Sequence, residues 1–326
     1  MKILNLNQIK SVLNSIDLLS YIEAGFIAYS QKKAVIPPVG ELLFDDPPGD
    51  VHIKYGYLSH ENYYVIKIAS GFYDNPKLGL SSSNGLMLLF DKNTGGLLCL
   101  LLDEGYLTNI RTAAAGAVVA KHLAPNKVHR IGIFGAGIQG KLQIQFLESI
   151  VNCRDIIVWG INQDELTEYL EYMESKGYSV ETTQDANSVA SSCNLIITAT
   201  PTKHPILMSD QIQSGTHITA VGSDTPDKQE LDAKILEIAD VVIADSIDQC
   251  LGRGEIFHAL NEKAVKKENL IELGDVLAGK KAGRISDDQI TVADLTGVAV
   301  QDIQISRAIY EVIKDDSKYE FGNRKI

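Results

Sequence analysis

The segment Gly135-Ala136-Gly137-Ile138-Gln139-Gly140 follows directly on a β-branched run, Arg130–Phe134, and opens a helical pattern carrying Leu142, Ile144, Phe146 and Leu147. A dinucleotide pyrophosphate needs a tight turn, a close backbone approach and a helix N-terminus aimed at the anion. Gly135 supplies the turn, Gly137 the approach and Gly140 the close packing of helix on strand. Ala136, Ile138 and Gln139 complete the cofactor loop. A glycine-rich turn without a ligand is the competing reading. The strand before, the helix after and the βα units behind favour the dinucleotide. The next strand should end in a ribose reader about twenty residues on. It ends Val158-Trp159-Gly160-Ile161-Asn162, with no carboxylate for the ribose hydroxyls and no arginine for a 2′-phosphate. Asn162, Gln163 and Lys141 are weak substitutes, so NAD and NADP both remain open. Thr200, closing a later strand, joins the expected cofactor residues.

Three charged residues stand where charge is costly. Lys67 lies inside the apolar run Val65-Ile66-Lys67-Ile68-Ala69. A buried lysine must be paired or used; the alternative is a strand-edge lysine reaching solvent. Arg111 falls in the first turn of a helix expected from Asn109 to Ala124, with Thr108 as N-cap and Pro125 beyond its end. A guanidinium beside free helix N–H groups makes an anion site; an internal salt bridge is the alternative. Asp224 follows a buried-looking strand, at the carboxyl edge where doubly wound sheets bind ligands. Asp also favours turns, and Ser223-Asp224-Thr225-Pro226 reads as one.

The elements that must position these residues fall into two halves. Residues 7–31 read as one amphipathic helix, with Ile9, Val12, Leu13, Ile16, Leu19, Ile22 and Phe26 at helical spacing. Strand-like stretches follow at Val51–Tyr57, Tyr63–Ser70, Gly85–Asp91 and Leu97–Leu102, broken by turn signals such as Asn93-Thr94-Gly95-Gly96. From residue 129 short apolar runs alternate with helical patterns: Arg130–Phe134, Asp155–Trp159, Asn194–Thr200, Thr216–Val221 and Asp240–Ala244. Such alternation implies an α/β fold, a doubly wound parallel Rossmann sheet. The expected division is an α+β substrate-binding domain over 1–124, with 305–326 packing back on it, and a dinucleotide domain over 125–304. A last helix is expected over Val298–Lys314.

Composition excludes several classes. The 326 residues carry 30 basic and 42 acidic side chains, a net charge of −12. An acidic surface repels phosphate backbones and argues against nucleic acid as a partner. No apolar run reaches membrane-spanning length, and the N-terminus lacks a signal-peptide core. The four cysteines stand far apart and the seven histidines show no ligand spacing, so no metal is expected. Cys99 and Cys193 read as core filling, and the compartment as reducing cytoplasm.

Three further segments carry a resemblance. They are Asn109-Ile110-Arg111-Thr112-Ala113-Ala114-Ala115-Gly116, Gly222-Ser223-Asp224-Thr225-Pro226-Asp227-Lys228-Gln229-Glu230-Leu231 and Asp294-Leu295-Thr296-Gly297-Val298. With the glycine loop, in this order and spacing, the chain resembles the ornithine cyclodeaminase/μ-crystallin family over nearly its whole length. The string His52-Ile53-Lys54-Tyr55-Gly56-Tyr57 looks most like the cyclodeaminase-like proteins found with ectoine utilisation.

The resemblance implies a homodimer joined through the N-terminal domain, an active site between domains, and amino-acid or cyclic-imine substrates. It places Lys67 beside the reacting carbon, Arg111 on the substrate carboxylate, Asp224 as general acid/base, and Thr296 and Gly297 near the nicotinamide. The family usually carries an arginine on an early strand; here that position falls at Gly40. His52 and Lys54 alternate onto one face of the next strand and can replace the missing charge; a solvated strand face is the alternative. The expected activity is hydride exchange between NAD(P) and an amino-acid α-carbon or imine, with net redox favoured over strict ornithine cyclodeamination. A dinucleotide-binding protein without turnover is the reading from another class; Lys67, Arg111 and Asp224 together argue against it.

Overall fold

The computed structural model describes residues 1–72 and 74–321. Its contacts divide the chain into two units, Met1–Arg111 together with the chain from Ala299 onward, and Thr112–Val298. The expected boundary at 124/125 falls just past the helix Tyr106–Leu123, within which the contact division lies, and that at 304/305 falls inside the helix Ala299–Ile313. Residues 322–326 of the expected return segment lie outside the described residues.

The first unit is built on a seven-stranded sheet. Its strands are β1 (Lys2–Asn5), β2 (Ala34–Val35), β3 (Gly40–Asp45), β4 (Pro48–Leu58), β5 (Tyr63–Phe72), β6 (Ser83–Asp91) and β7 (Leu97–Leu102), ordered β1-β7-β6-β5-β4-β2 with β3 also on β4. β1 runs parallel to β7 and every other pairing is antiparallel. The single helix expected over 7–31 is two, Leu6–Leu13 and Leu18–Ser30. Asp17 breaks it: its carboxylate accepts the Ser20 N–H and hydroxyl, capping a new helix. The hydrophobic period carries through because both helices bury an apolar stripe.

Alternation along the strands gives the sheet two faces. Leu58, Val65, Met87, Leu89, Cys99 and Leu101 point inward and are buried. The helix Ala299–Ile313 covers that side, and the helix Leu18–Ser30 packs on it. Gly25 permits their close crossing, since a Cβ there would lie 2.8 Å from the Gln304 side chain. The outward face carries Tyr55, Tyr57, Tyr64, Ile66, Leu88, Phe90, Leu100 and Leu102, all part-buried or exposed.

The second unit holds eight parallel strands: β8 (Ile131–Phe134), β9 (Asp155–Trp159), β10 (Ser179–Thr183), β11 (Leu195–Thr198), β12 (His217–Ala220), β13 (Val241–Ala244), β14 (Ile271–Glu272) and β15 (Thr291–Asp294). Their order is β10-β9-β8-β11-β12-β15-β13-β14. The strand order reverses between β8 and β11, the switch point where doubly wound sheets take ligands. β8, β11, β12, β13 and β15 are buried at every position, as a sheet covered on both faces requires. Inside it His217 lies between the hydroxyls of Thr291 and Thr219 at 2.8 and 2.9 Å, and burial pushes its imidazole down to about 3. It is a neutral core residue.

Candidate active site

The glycine loop stands at the switch point. Gly135 takes φ +108°, a left-handed conformation that side chains disfavour, and a Cβ there would lie 2.7 Å from the Ala199 carbonyl oxygen. A Cβ on Gly140 would strike the Gly135 carbonyl oxygen. Packing therefore explains both glycines. Gly137 is different: its φ is −76°, and a Cβ would meet nothing within 4 Å. It is the N-cap of the helix Ile138–Leu147, whose first N–H groups have no side-chain cap from it. Open space over an uncapped helix N-terminus is the cradle a pyrophosphate fills. Asn162 is not free to read a ribose with its oxygen, because that atom accepts the Asp164 N–H at 2.9 Å and caps the next helix. No carboxylate ends β9, as the sequence had indicated.

A buried carboxylate holds the neighbouring loops. One oxygen of Glu230 accepts the N–H and hydroxyl of Thr200 at 2.6 and 2.8 Å; the other accepts the Thr198 hydroxyl and the Gly222 N–H at 2.8 and 2.9 Å. Burial still pushes the acid up to about 7 against those four donors. The Thr200 methyl in turn lies against Gly135, so the clamp reaches the cofactor loop. Glu255 accepts the N–H groups of Glu230 and Leu231. Asp245 holds the Thr296 hydroxyl at 2.9 Å and the Gly297 N–H at 2.8 Å, with Gly297 at φ +82°. Thus the glycines and acids around Asp224 and Thr296 serve the backbone at the carboxyl edge. Asp224 itself lies in the turn after β12. Its Oδ1 is 2.7 Å from Lys228 Nζ, its carbonyl accepts from Arg253, and its side chain is 46% exposed.

The first unit gathers the other charged candidates. Register pairs Lys54 of β4 with Lys67 of β5, and Lys67 with Met87 of β6, on the inward face. Lys54 and Lys67 are buried, 8% and 2% exposed. His52 is one row along, opposite Ala69, 3.8 Å from the carboxylates of both Glu41 and Asp50. Gly40 pairs with Ile53, on the outward face, so the β3 residue sharing the face of Lys67 is Glu41. Lys67 Nζ is 3.2 Å from Asp302 Oδ2, and Arg111 Nε is 3.3 Å from Asp302 Oδ1. Arg111 also donates to Gln301 Oε1 at 2.9 Å.

Arg111 requires a correction. Its helix begins at Tyr106, and Asp103, not Thr108, accepts the capping N–H, from Leu107 at 2.8 Å. Arg111 therefore sits in the second turn, away from the free N–H groups, and the helix-terminus argument for an anion site lapses. The helix started early because an acid three residues before Tyr106 satisfies its first donors. The internal ion pair weighed as the alternative is present, with Asp302.

Electrostatics in the cluster is lopsided. Burial drives Lys67 below its usual range, with Arg111 adding to this and Asp302 opposing it. Burial pushes Asp302 up, but Lys67, Arg111 and Lys54 outweigh it and hold the carboxyl low. Burial raises Asp103, whose Oδ1 has no partner among the described residues; the same holds for Gln301 Nε2. Asp103, Gln301, Asp302 and Glu230 were not singled out from sequence. Asp302 had a signal of the same kind as Lys67: an acid inside the apolar stretch Val298-Ala299-Val300-Gln301-Asp302-Ile303.

The sequence profile of the ornithine cyclodeaminase/mu-crystallin family matches residues 1–317. The chain belongs to that family. An uncharacterized cyclodeaminase of Sinorhizobium fredii is 38% identical over 323 residues, 97% of each chain. An archaeal alanine dehydrogenase dimer with bound NAD superposes with a TM-score of 0.88 at 31% identity, over 96% of both chains. The Δ1-pyrroline-2-carboxylate reductase of Thermococcus litoralis, in complex with NADH and L-proline, gives 0.88 at 27% identity, over 96% of this chain and 98% of that one. By family and by fold the protein is an NAD(P)-dependent enzyme.

Proposed function

We propose that this member of the ornithine cyclodeaminase/mu-crystallin family exchanges a hydride with the α-carbon of a small amino acid or its imine. One observation supports the substrate half of this reading above the rest. Lys54, Lys67 and Arg111 are three buried cations gathered around one low carboxyl, Asp302. Buried charge must be balanced, and a substrate carboxylate has the sign that Lys67 and Arg111 attract. NAD(P), when bound at the Gly137 cradle, supplies or accepts the hydride.

The chain's own residues do the rest. Arg111 and Lys54 hold the carboxylate, and Lys67 stands closest to the reacting carbon. Asp224 takes or gives the proton of the amino or imino nitrogen. Thr296 and Gly297, fixed by Asp245, flank the nicotinamide, and Thr200, Asn162 and the loop Gly135–Gly140 hold the remainder of the cofactor. His52, between Glu41 and Asp50, meets the far end of the substrate. A cyclodeaminase uses the same groups, with the hydride returned at the end.

The partner we propose is a second copy, joined through the outward apolar face of the first-unit sheet; one structural relative is described as a dimer. Among the described residues no helix is long and apolar enough to cross a membrane. All four cysteines are free, which fits a reducing cytoplasm. The test is cofactor oxidation and reduction against α-amino acids, cyclic imines, and keto acids with ammonia or methylamine, with product analysis. Net cofactor turnover is expected; ammonia release without it identifies a cyclodeaminase. Neither, across the panel, sinks the reading.

A further inference from the structure

Asp302 stands where three elements converge. It is the fourth residue of the helix Ala299–Ile313, 1% exposed, and it spends its two oxygens on two different cations. Oδ2 faces Lys67 Nζ from β5 at 3.2 Å; Oδ1 faces Arg111 Nε from the helix Tyr106–Leu123 at 3.3 Å. Those two cations repel one another. The Oε1 of Gln301, the preceding residue, accepts a hydrogen bond from Arg111 Nη1 at 2.9 Å. Lys54 also acts on Asp302 and, with Lys67 and Arg111, holds its carboxyl low. The second acid facing Lys67 is Asp103, from the turn before the Arg111 helix, and burial favours its neutral form.

We propose that Asp302 is a positioning residue, whose two oxygens set the Lys67 ammonium and the Arg111 guanidinium at a fixed spacing for a substrate carboxylate and keep Lys67 charged. The inference rests on the reading that these two cations receive the substrate. A carboxylate bridging two cations on one side leaves the other side of both for a second carboxylate, an alternation of charge that a monocarboxylate completes. The electrostatic consequence has a definite sign. Burial and Arg111 both favour the neutral amine of Lys67, while Asp302 is the strongest influence favouring its ammonium. Removing the Asp302 charge lets Lys67 lose its proton at a lower pH.

The test uses Asp302→Asn and Asp302→Glu in the full chain. With the asparagine, the basic limb of kcat/KM for the carboxylate substrate should move at least one pH unit toward acid, a tenfold loss at the pH where the native enzyme still binds. KM should carry that loss more than kcat. With the glutamate the charge returns on a longer arm: the limb should stay in place while KM rises severalfold. A merely structural role would lower activity equally at every pH. An NMR titration of the Lys67 side-chain signal, assigned by its absence in Lys67→Met, reads the same shift without turnover. Should the panel yield no substrate, the functional reading fails while this titration still decides on Asp302. An unmoved basic limb, or a Lys67 titration the same in Asp302→Asn as in the native protein, overturns the proposal. If the asparagine variant does not fold, the glutamate variant decides: a displaced limb in it overturns the proposal.

Discussion

Gly137 takes a φ that any residue adopts, and no protein atom stands where its side chain would go. Neither packing nor backbone therefore requires glycine there, and the remaining requirement is the ligand. Gly137→Val should abolish NAD(P)H binding by titration calorimetry while costing ~1 kcal/mol of stability at most, the scale of an altered helix cap. Retained cofactor affinity would remove the cradle from the account. Asp224 is a different case, since its half-exposed pair with Lys228 is worth little to the fold. Asp224→Asn keeps shape and removes the acid–base function, so kcat should fall ~10²–10⁴-fold with NAD(P)H affinity unchanged. Near-native turnover would return Asp224 to a turn residue. Residue type flagged Lys67 because charge inside an apolar run must be satisfied; Arg111 was flagged by a helix-terminus argument that the structure corrects. The satisfying group, Asp302, was invisible as a partner because it lies on another element far along the chain.

At the scale of elements, β11, β12, β13 and β15 present their carboxyl ends to a web of buried acids. Glu230 ties the ends of β11 and β12. Its acid is pushed up to about 7 from 4.5 in the unfolded chain, so between those values the folded protein binds a proton that the unfolded one has released. Stability from this group is fully present below about 4.5 and declines as pH rises to about 7, by about 3 kcal/mol. Urea midpoints should fall between pH 5 and pH 8, and Glu230→Gln should flatten that slope. An equal slope in the variant would show that Glu230 does not titrate there. Strands of four or more residues with an unbroken apolar run were legible: β7 and β9 were expected at their observed bounds. β1, β2, β10, β14 and β15 were not, and β3 only through the resemblance, since short or polar strands such as Ser179–Thr183 owe their state to a neighbour already in the sheet. The split of the first helix and the early start of Tyr106–Leu123 share one cause, an aspartate cap that competes with hydrophobic period.

At the scale of the molecule, the outward face of the first sheet carries apolar side chains that are part-buried or exposed. Tyr64 stacks on Phe90 at 4.7 Å, and Tyr55 and Leu102 of the same face are exposed. Contiguous exposed apolar residues of this kind are what interfaces are made of. Ile66→Glu places a charge on it, so sedimentation velocity should show a one-chain species in place of the proposed dimer; a dimer that survives the substitution places the interface elsewhere. What the sequence determined by itself was local or periodic. The glycine loop, the alternation of strand and helix and the resemblance in three contiguous motifs all reside in neighbouring residues, whose spacing survives without coordinates. The tertiary structure alone decided that Gly40 faces away from Lys67, that Glu230 clamps Thr200, and that Asp302 stands between Lys67 and Arg111. Coulombic and hydrogen-bonding energies depend on distance through space, and that distance is set by how the elements pack.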